Sequence, residues 1–226
     1  VFIIPLGFDW HLSKEQVSLY HHFVAQNVDL LISLGGDDIH PLLYEQENQK
    51  ARNVFYDRDL SEFNLVKFYK SYSKGIYLGI CRGHQLSAVI EGFELIQDLG
   101  EIDKMCLEKH FQENQNQRDY LFHEITIKPS LLSRLLGFKT TSDIQLKVNS
   151  YHHQAVKCQS KSHTNCVAYD SEHHIAEALI SNDLRSISVQ FHPELPNEIN
   201  KNNEFTELGH AFIKRIVAYS RLIRYK

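Results

Sequence analysis

Apolar segments of strand length alternate with amphipathic helical segments through the first half of this chain. The apolar segments are Phe2–Leu6, VDLLISLGG and IYLGI, and the helical ones are SKEQVSLYHHFVAQN, RDLSEFNLVKFYKSYSKG and RGHQLSAVIEG. Such alternation is typical of α/β domains, in which helices connect parallel strands. We therefore predict an α/β fold with a mainly parallel, doubly wound sheet flanked by helices.

The second half of the chain carries shorter strand-like segments that are separated by polar turns. They are HEITIKP, IQLKVNS, CVAYD, IAEALI and RSISVQF, and an amphipathic helix from about Glu204 to Tyr225 follows them. This pattern predicts short antiparallel strands at one edge of the sheet. With 226 residues, of which 42% are hydrophobic, the chain can bury one core, and we expect a single domain over residues 1–226.

Composition and charge exclude several classes of protein. No apolar run reaches the roughly 18 residues that a membrane helix requires, so no membrane partner is expected. The formal net charge is -4 without a basic block, which argues against nucleic acid as a partner. The cysteines Cys81, Cys106, Cys158 and Cys166 have no C-x-x-C spacing, which argues against a zinc ribbon and a disulfide framework. We expect a reducing, cytoplasmic setting.

The segment GICRG, Gly79–Gly83, places a cysteine between two glycines where a strand-like run meets a helical one. This is the cysteine form of the nucleophile elbow, a sharp turn that needs small residues two positions before and after the nucleophile. Cys81 would then lie at a helix N-terminus, where unpaired N–H groups and the helix dipole favour the thiolate. A buried cysteine between two loop glycines explains the same five residues equally well.

The segment SVQFHPE, Ser188–Glu194, supplies the partners that a nucleophilic cysteine needs. A histidine at a strand end can act as general base, and a carboxylate two residues later can orient its imidazole. His192 and Glu194 therefore complete a candidate triad with Cys81. Alone, the H-P-E segment is also consistent with an ordinary turn that carries a solvated histidine.

Together, the two motifs resemble the class I glutamine amidotransferases, whose signatures include a G-I-C-x-G-x-Q elbow and a terminal H-P-E. Three further stretches, GGDDIHPLLY, RDLSE and VNSYHHQAV, are similar to the γ-glutamyl-γ-aminobutyrate hydrolase branch of that superfamily. The ordered matches extend from Phe2 to about Glu194 and imply the class I glutamine amidotransferase-like, flavodoxin-like fold. Family members usually begin with a further strand and helix, and since this first unit is missing here, we expect a fragment or an incomplete start.

The resemblance implies a role for each matched residue. Cys81 would attack a γ-glutamyl amide carbonyl, His192 would carry the proton from the thiol to the leaving amine, and Glu194 would hold the imidazole. Backbone N–H groups of Gly36 and Arg82 would form the oxyanion hole. The residues that resemble substrate-binding positions of the family are Gln85, Asn149, Ser150 and His152.

No metal and no cofactor are expected. Histidine pairs occur at His21–His22, His152–His153 and His173–His174, but adjacent histidines generally point to opposite sides. Neither an H-E-x-x-H motif nor a carboxylate triad accompanies them. The acidic pair Asp37–Asp38 is interpreted as part of a turn or a pocket rim.

The resemblance implies a cysteine-dependent hydrolase that cleaves a γ-glutamyl amide bond of a small-molecule substrate through a γ-glutamyl thioester and releases glutamate. Three alternatives stay open. A glutaminase subunit would deliver ammonia to a synthase partner, a specialised hydrolase would act on a γ-glutamyl nucleotide or phosphoramidate, and a non-catalytic binding domain would keep the fold alone. A monomer and a homo-oligomer are both compatible with the sequence.

Overall fold

The structure, a computed structural model, describes residues 11–112, 121–195 and 203–224, with the main chain alone for 203 and 204. The helices in these ranges are α1 (Lys14–Asn27), α2 (Tyr56–Tyr72), α3 (Arg82–Ile90), α4 (Lys104–His110), α5 (Leu131–Leu136) and α6 (Asn203–Arg224). The strands are β1 (Leu30–Ser33), β2 (Ile76–Ile80), β3 (Leu95–Ile96), β4 (Leu121–Ile127), β5 (Ile144–Ser150), β6 (Ala155–Lys157), β7 (Thr164–Asp170), β8 (Ile175–Ser181) and β9 (Ser186–Val189). The predicted strand Phe2–Leu6 lies outside the described residues.

The described strands form one sheet in the order β1-β2-β9-β8-β7-β4-β5, with β6 paired to β8 and β3 paired to β6. The α/β fold class is confirmed, and parallel strands β1, β2 and β9 lie next to one another. The other described pairs are antiparallel, so the antiparallel part is larger than the single edge that the sequence indicated. The reason is that β7, β8 and β9 follow one another through short turns, which connect only antiparallel neighbours.

Strand β2 is buried on both faces of the sheet. Ile76, Leu78 and Ile80 pack in a cluster with residues of α5 and α6, whereas Tyr77 packs with residues of α1, α2 and α3. This is the period-two alternation of a strand between two helical layers. Because both faces are covered, the segment IYLGI is a continuous apolar run rather than an alternating one.

The predicted helices begin and end close to where the sequence placed them. Ser13 caps α1 through a capping box in which its Oγ accepts from the N–H of Gln16, and Oε1 of Gln16 accepts from the N–H of Ser13. The shorter elements α4, α5, β3 and β6 were not predicted, since two to seven residues give too little periodicity to recognise. In the described ranges, no helix combines the length and the apolar composition that crossing a bilayer requires.

The parallel pairing of β2 with β9 determines where the chemistry lies. Ile80 and Val189 are register partners at the ends of these strands, and the N–H of Cys81 donates to the carbonyl of Val189 at 2.9 Å. Cys81 follows β2 directly, and His192 comes three residues after β9. Since parallel neighbours end at the same edge of a sheet, both residues are delivered to one place.

Candidate active site

Cys81 lies at a strained turn between β2 and α3. Its backbone has φ 52° and ψ -105°, a combination that residues other than glycine rarely adopt. A Cβ on Gly79 would lie 2.4 Å from the carbonyl oxygen of Gly83, and one on Gly83 would lie 2.2 Å from that of Ser33. Neither distance is compatible with a side chain, so the G-x-C-x-G spacing is a steric requirement of the turn.

His192 lies beside Cys81. A Cβ on Gly35 would lie 2.9 Å from Cε1 of His192 and 3.7 Å from Cβ of Cys81, so the backbone at Gly35 is close to both side chains and leaves room only for glycine. Nδ1 of His192 is 2.8 Å from Oε1 of Glu194, a hydrogen-bond distance. The structure thus brings the three predicted triad residues together, and their catalytic role stays a prediction.

The charge state of His192 depends on its two neighbours. Burial alone would lower the pKa of this histidine, but the charge and hydrogen bond of Cys81 and the carboxylate of Glu194 outweigh burial and raise the pKa to about 10. The imidazole is therefore cationic near pH 7.

We expect His192 to titrate near pH 10 in the folded protein, against 6.5 for an unperturbed histidine. Because the folded state binds this proton more tightly, the contribution of His192 to the free energy of unfolding is complete below about pH 6.5 and is lost as the pH rises to about 10. Nuclear magnetic resonance of isotope-labelled histidine measures the titration. In Cys81→Ala the pKa of His192 should fall, and identical titration curves in both proteins would contradict this electrostatic coupling.

Asn149 holds the backbone of His192. Its Nδ2 donates to the carbonyl of His192 at 2.9 Å, and its Oδ1 accepts from the N–H of His192 at 2.8 Å. The side chain is buried, and its strand β5 lies four positions from β9 in the sheet. The sequence placed Asn149 among the substrate-binding residues, whereas these two contacts favour a role in positioning the histidine.

Asn149→Ala should lower kcat by about a hundredfold and leave KM nearly unchanged, because a displaced imidazole impairs proton transfer more than substrate binding. Asn149→Asp is the companion variant: one carboxylate oxygen still accepts from the N–H of His192, but the other replaces the donor and faces the carbonyl of His192, so its kcat should fall as well. Steady-state kinetics of both variants measure the two constants. An increase in KM at constant kcat would favour the substrate-binding role instead.

Arg82, the first residue of α3, joins the elbow to α2 through buried ion pairs. Its guanidinium donates to Oε2 of Glu62 and, at 2.7 Å, to Oδ1 of Asp59. All three side chains are nearly inaccessible to solvent. Asp59 also accepts from the N–H of His40 at 2.8 Å and from Nε of Arg58 at 2.9 Å. The segment RDLSE therefore connects the elbow to the loop that follows Gly35–Gly36.

His153 connects the N-S-x-H-H-Q segment to the same loop. Its Nε2 is 2.9 Å from Oδ2 of Asp38, and its Nδ1 is 3.2 Å from Oδ2 of Asp98. Asp38 also accepts from the backbone N–H of Arg52 at 2.6 Å. These contacts give Asp38 a structural role in the loop, in agreement with its interpretation as a turn residue.

The other predicted substrate-binding side chains have protein partners and are buried. Nε2 of Gln85 donates to the carbonyl of Gln154 at 3.1 Å and to Oε1 of Gln190 at 3.3 Å. Oγ of Ser150 donates to the carbonyl of His110 at 3.0 Å. Their part in substrate binding stays a prediction.

A cavity of about 420 Å³ lies at the other end of β2, with Lys70, Tyr77 and Arg185 among the residues of its wall. Cys81, His192 and Glu194 are not part of that wall. We therefore place the candidate active site at the elbow, where the perturbed histidine and the strained cysteine meet, rather than in this cavity.

Comparisons with known proteins show which family the chain is similar to. The chain is 36% identical over 181 residues to protein NtpR of Enterococcus hirae, and the aligned region covers 78% of this chain and 71% of NtpR. It is 30% identical over 199 residues to a Schizosaccharomyces pombe protein provisionally named a glutamine amidotransferase, with 87% of this chain and 73% of the relative covered. Glutamine amidotransferase-like protein YvdE of Lactococcus lactis is 33% identical over 168 residues, with 74% and 66% covered.

A solved structure shares the fold. It is a Thermoplasma acidophilum protein provisionally described as a subunit of GMP synthase, with a TM-score of 0.56, 15% identity and coverage of 99% of this chain and 96% of that one.

The sequence pattern of the peptidase C26 family matches residues 10–194, from before α1 to the end of the H-P-E segment. The chain therefore belongs to the peptidase C26 family within the class I glutamine amidotransferase-like superfamily, and its function is that of a cysteine-type amidohydrolase or amidotransferase.

Proposed function

We propose that this protein hydrolyses a γ-glutamyl amide through a γ-glutamyl thioester on Cys81 and releases glutamate. The observation that carries the proposal is the geometry at the elbow, where Cys81 at a positive φ adjoins a cationic His192 whose Nδ1 contacts Glu194. We place residues 1–226 in a single domain of this kind.

The first half-reaction follows from these positions. The Cys81 thiolate attacks the amide carbonyl, and a tetrahedral oxyanion forms. His192 then donates its Nε2 proton to the leaving amine, the C–N bond breaks, and a γ-glutamyl thioester and a free amine result. Glu194, at Nδ1, keeps the ring oriented and stabilises its charge. In the second half-reaction His192 takes a proton from water, whose oxygen attacks the thioester, so that glutamate and the Cys81 thiolate are released.

The oxyanion would be stabilised by the backbone N–H groups of Arg82 and Gly36. Arg82 begins α3, so its N–H belongs to the unpaired first turn of a helix. The Gly35–Gly36 backbone approaches His192 and Cys81 so closely that a Cβ at position 35 would overlap the imidazole. Each such donor contributes about a hundred- to a thousandfold in rate.

The test is glutamate release by the purified protein from glutamine, γ-glutamyl-γ-aminobutyrate, other γ-glutamyl amines and a γ-glutamyl nucleotide, with Cys81→Ala as control. We expect Cys81-dependent turnover of one γ-glutamyl amide and poor turnover of glutamine. Turnover of glutamine alone would replace the proposal with an amidotransferase subunit that supplies ammonia to a synthase partner. Absence of turnover throughout the panel would reject the hydrolase and favour a binding domain.

A further inference from the structure

Four buried side chains from separate segments of the chain meet in the interior, and we call them the histidine–glutamate cluster: His110, His123, His152 and Glu177. Their exposed fractions are 0%, 3%, 5% and 0%. Oε1 of Glu177 is 3.2 Å from Nε2 of His123 and 4.0 Å from Nε2 of His152. The ring of His110 lies 4.2 Å from that of His123 and 5.0 Å from that of His152, measured between centroids.

The cluster presents lone pairs that the described residues leave without partners. Neither side-chain oxygen of Glu177 accepts a hydrogen bond there, and neither ring nitrogen of His123 nor Nε2 of His152 has a hydrogen-bond partner. Nε2 of His123 lies within ion-pair distance of Glu177, so this imidazole is the charge partner that faces the buried carboxylate most closely. A fully buried carboxylate is costly unless a cation compensates it.

Hydrogen bonds around the cluster fix the tautomers of two imidazoles. Nδ1 of His152 is 2.9 Å from the carbonyl of Gln154, so Nδ1 carries the hydrogen and Nε2 keeps its lone pair. Nε2 of His110 is 3.3 Å from Oδ2 of Asp170, and it donates to that carboxylate. Nδ1 of His110 then keeps its lone pair, because the nearby hydroxyl of Ser150 donates to the carbonyl of His110. A carboxylate or carbonyl behind a histidine is the usual arrangement around metal-binding imidazoles.

A ring with one N–H and one free lone pair is a neutral imidazole. Neutral imidazole is the form that binds a metal ion. Zinc prefers nitrogen and carboxylate oxygen ligands of this kind.

We propose that the histidine–glutamate cluster binds a divalent transition metal ion of the zinc class through His110, His152 and Glu177. The ligand atoms of these three residues all lie within 4.8 Å of one another. Ligands of a tetrahedral zinc ion lie about 3.3 to 3.5 Å apart, so side-chain shifts of about 1 Å close the site. No sequence motif indicates this metal, because each ligand comes from a different segment and His152 is the only member of a histidine pair among them.

The three ligands are buried, so we give the ion a structural role, and the proposal assigns His152 to the ion rather than to the substrate. The ion would join α4, β8 and the turn after β5. That turn begins just beyond Asn149, which holds the backbone of His192. The inference is independent of the proposed hydrolase activity.

Two other groupings are rival positions for an ion: Cys106 with His110 and His173, and Asp170 with Glu172 and His173. The first is the poorer site because the nitrogens of His173 already face the carboxylates of Asp170 and Asp103 at 3.4 and 3.6 Å. The second is poorer because the ammonium of Lys109 lies 3.0 Å from Asp170 and 2.9 Å from Glu172 and repels a further cation.

The first experiment uses the wild-type chain of residues 1–226, stripped with a chelator and dialysed. Calorimetric titration with zinc chloride should show one ion bound per chain, and elemental analysis should return the same ratio. The midpoint of thermal unfolding should rise on zinc addition. Cobalt substitution should give the visible spectrum of a nitrogen and oxygen site without a thiolate charge-transfer band. A thiolate band would place the ion at Cys106, and absence of stoichiometric binding would overturn the proposal.

Variants locate the ion. Glu177→Gln and His152→Gln should each weaken zinc binding at least about a hundredfold, and Asp170→Asn about ten- to a hundredfold through His110. His153→Gln is the matched control, because its ring faces Asp38 and Asp98, and His173→Gln is the control for the rival grouping. Both controls should bind zinc like the wild type. Zinc binding that survives Glu177→Gln, or zinc binding that is lost in His173→Gln, would show that the ion does not lie in the histidine–glutamate cluster. If a variant does not fold, the cobalt spectrum of the wild type shows whether a thiolate binds the ion.

Discussion

Cys81→Ala should reduce glutamate release from the preferred γ-glutamyl amide by at least about a thousandfold and leave the protein folded. Alanine removes the sulfur that forms the thioester, so the covalent route is lost although the oxyanion donors remain. Circular dichroism and thermal unfolding of the variant show whether the fold is kept. Activity close to that of the wild type would remove Cys81 from the mechanism.

The backbone at Cys81 offers a matched control for this variant. Alanine keeps a Cβ at φ 52°, whereas glycine relieves the strain. Cys81→Gly should therefore be as inactive as Cys81→Ala. Its free energy of unfolding should be about 1 kcal/mol higher than that of Cys81→Ala. Denaturant unfolding of the two variants measures this difference. Equal stabilities would show that the elbow stores no strain at this position.

Arg82→Met should lower the free energy of unfolding by about 3 to 5 kcal/mol, because it leaves Glu62 charged and buried without its partner. Asp59 keeps the guanidinium of Arg58, so the main loss is at Glu62. Denaturant unfolding measures the effect. Activity should fall too, since Asp59 also binds the N–H of His40 in the loop after Gly35–Gly36.

Two controls separate a buried ion pair from a general loss of charge. Lys104→Met breaks the exposed pair of Lys104 with Glu108 and should change the free energy of unfolding by less than about 0.5 kcal/mol. The double variant Arg82→Met with Glu62→Leu removes both charges and should recover part of the loss. An effect of Arg82→Met as small as that of Lys104→Met would show that the buried network does not stabilise the elbow.

Local patterns carried most of the fold prediction. The α1 cap at Ser13, the strand IYLGI and the elbow around Cys81 depend on interactions within a few residues, and the sequence predicted all three. The extent of antiparallel pairing was underestimated, because strand direction depends on which segments become neighbours. The contact of Asn149 with His192 was also beyond the sequence, since the strands that end near the two residues are four positions apart in the sheet.

The sequence by itself determined the cysteine between two glycines, the histidine two residues before its carboxylate, and the family to which these motifs belong. The tertiary structure alone decided that β2 and β9 are parallel neighbours, which puts Cys81 beside His192. It alone assembled His110, His123, His152 and Glu177 into one buried cluster. The physical reason is that backbone conformation is set by near neighbours in the chain, whereas side-chain partners tens of residues apart are set by the order and packing of strands.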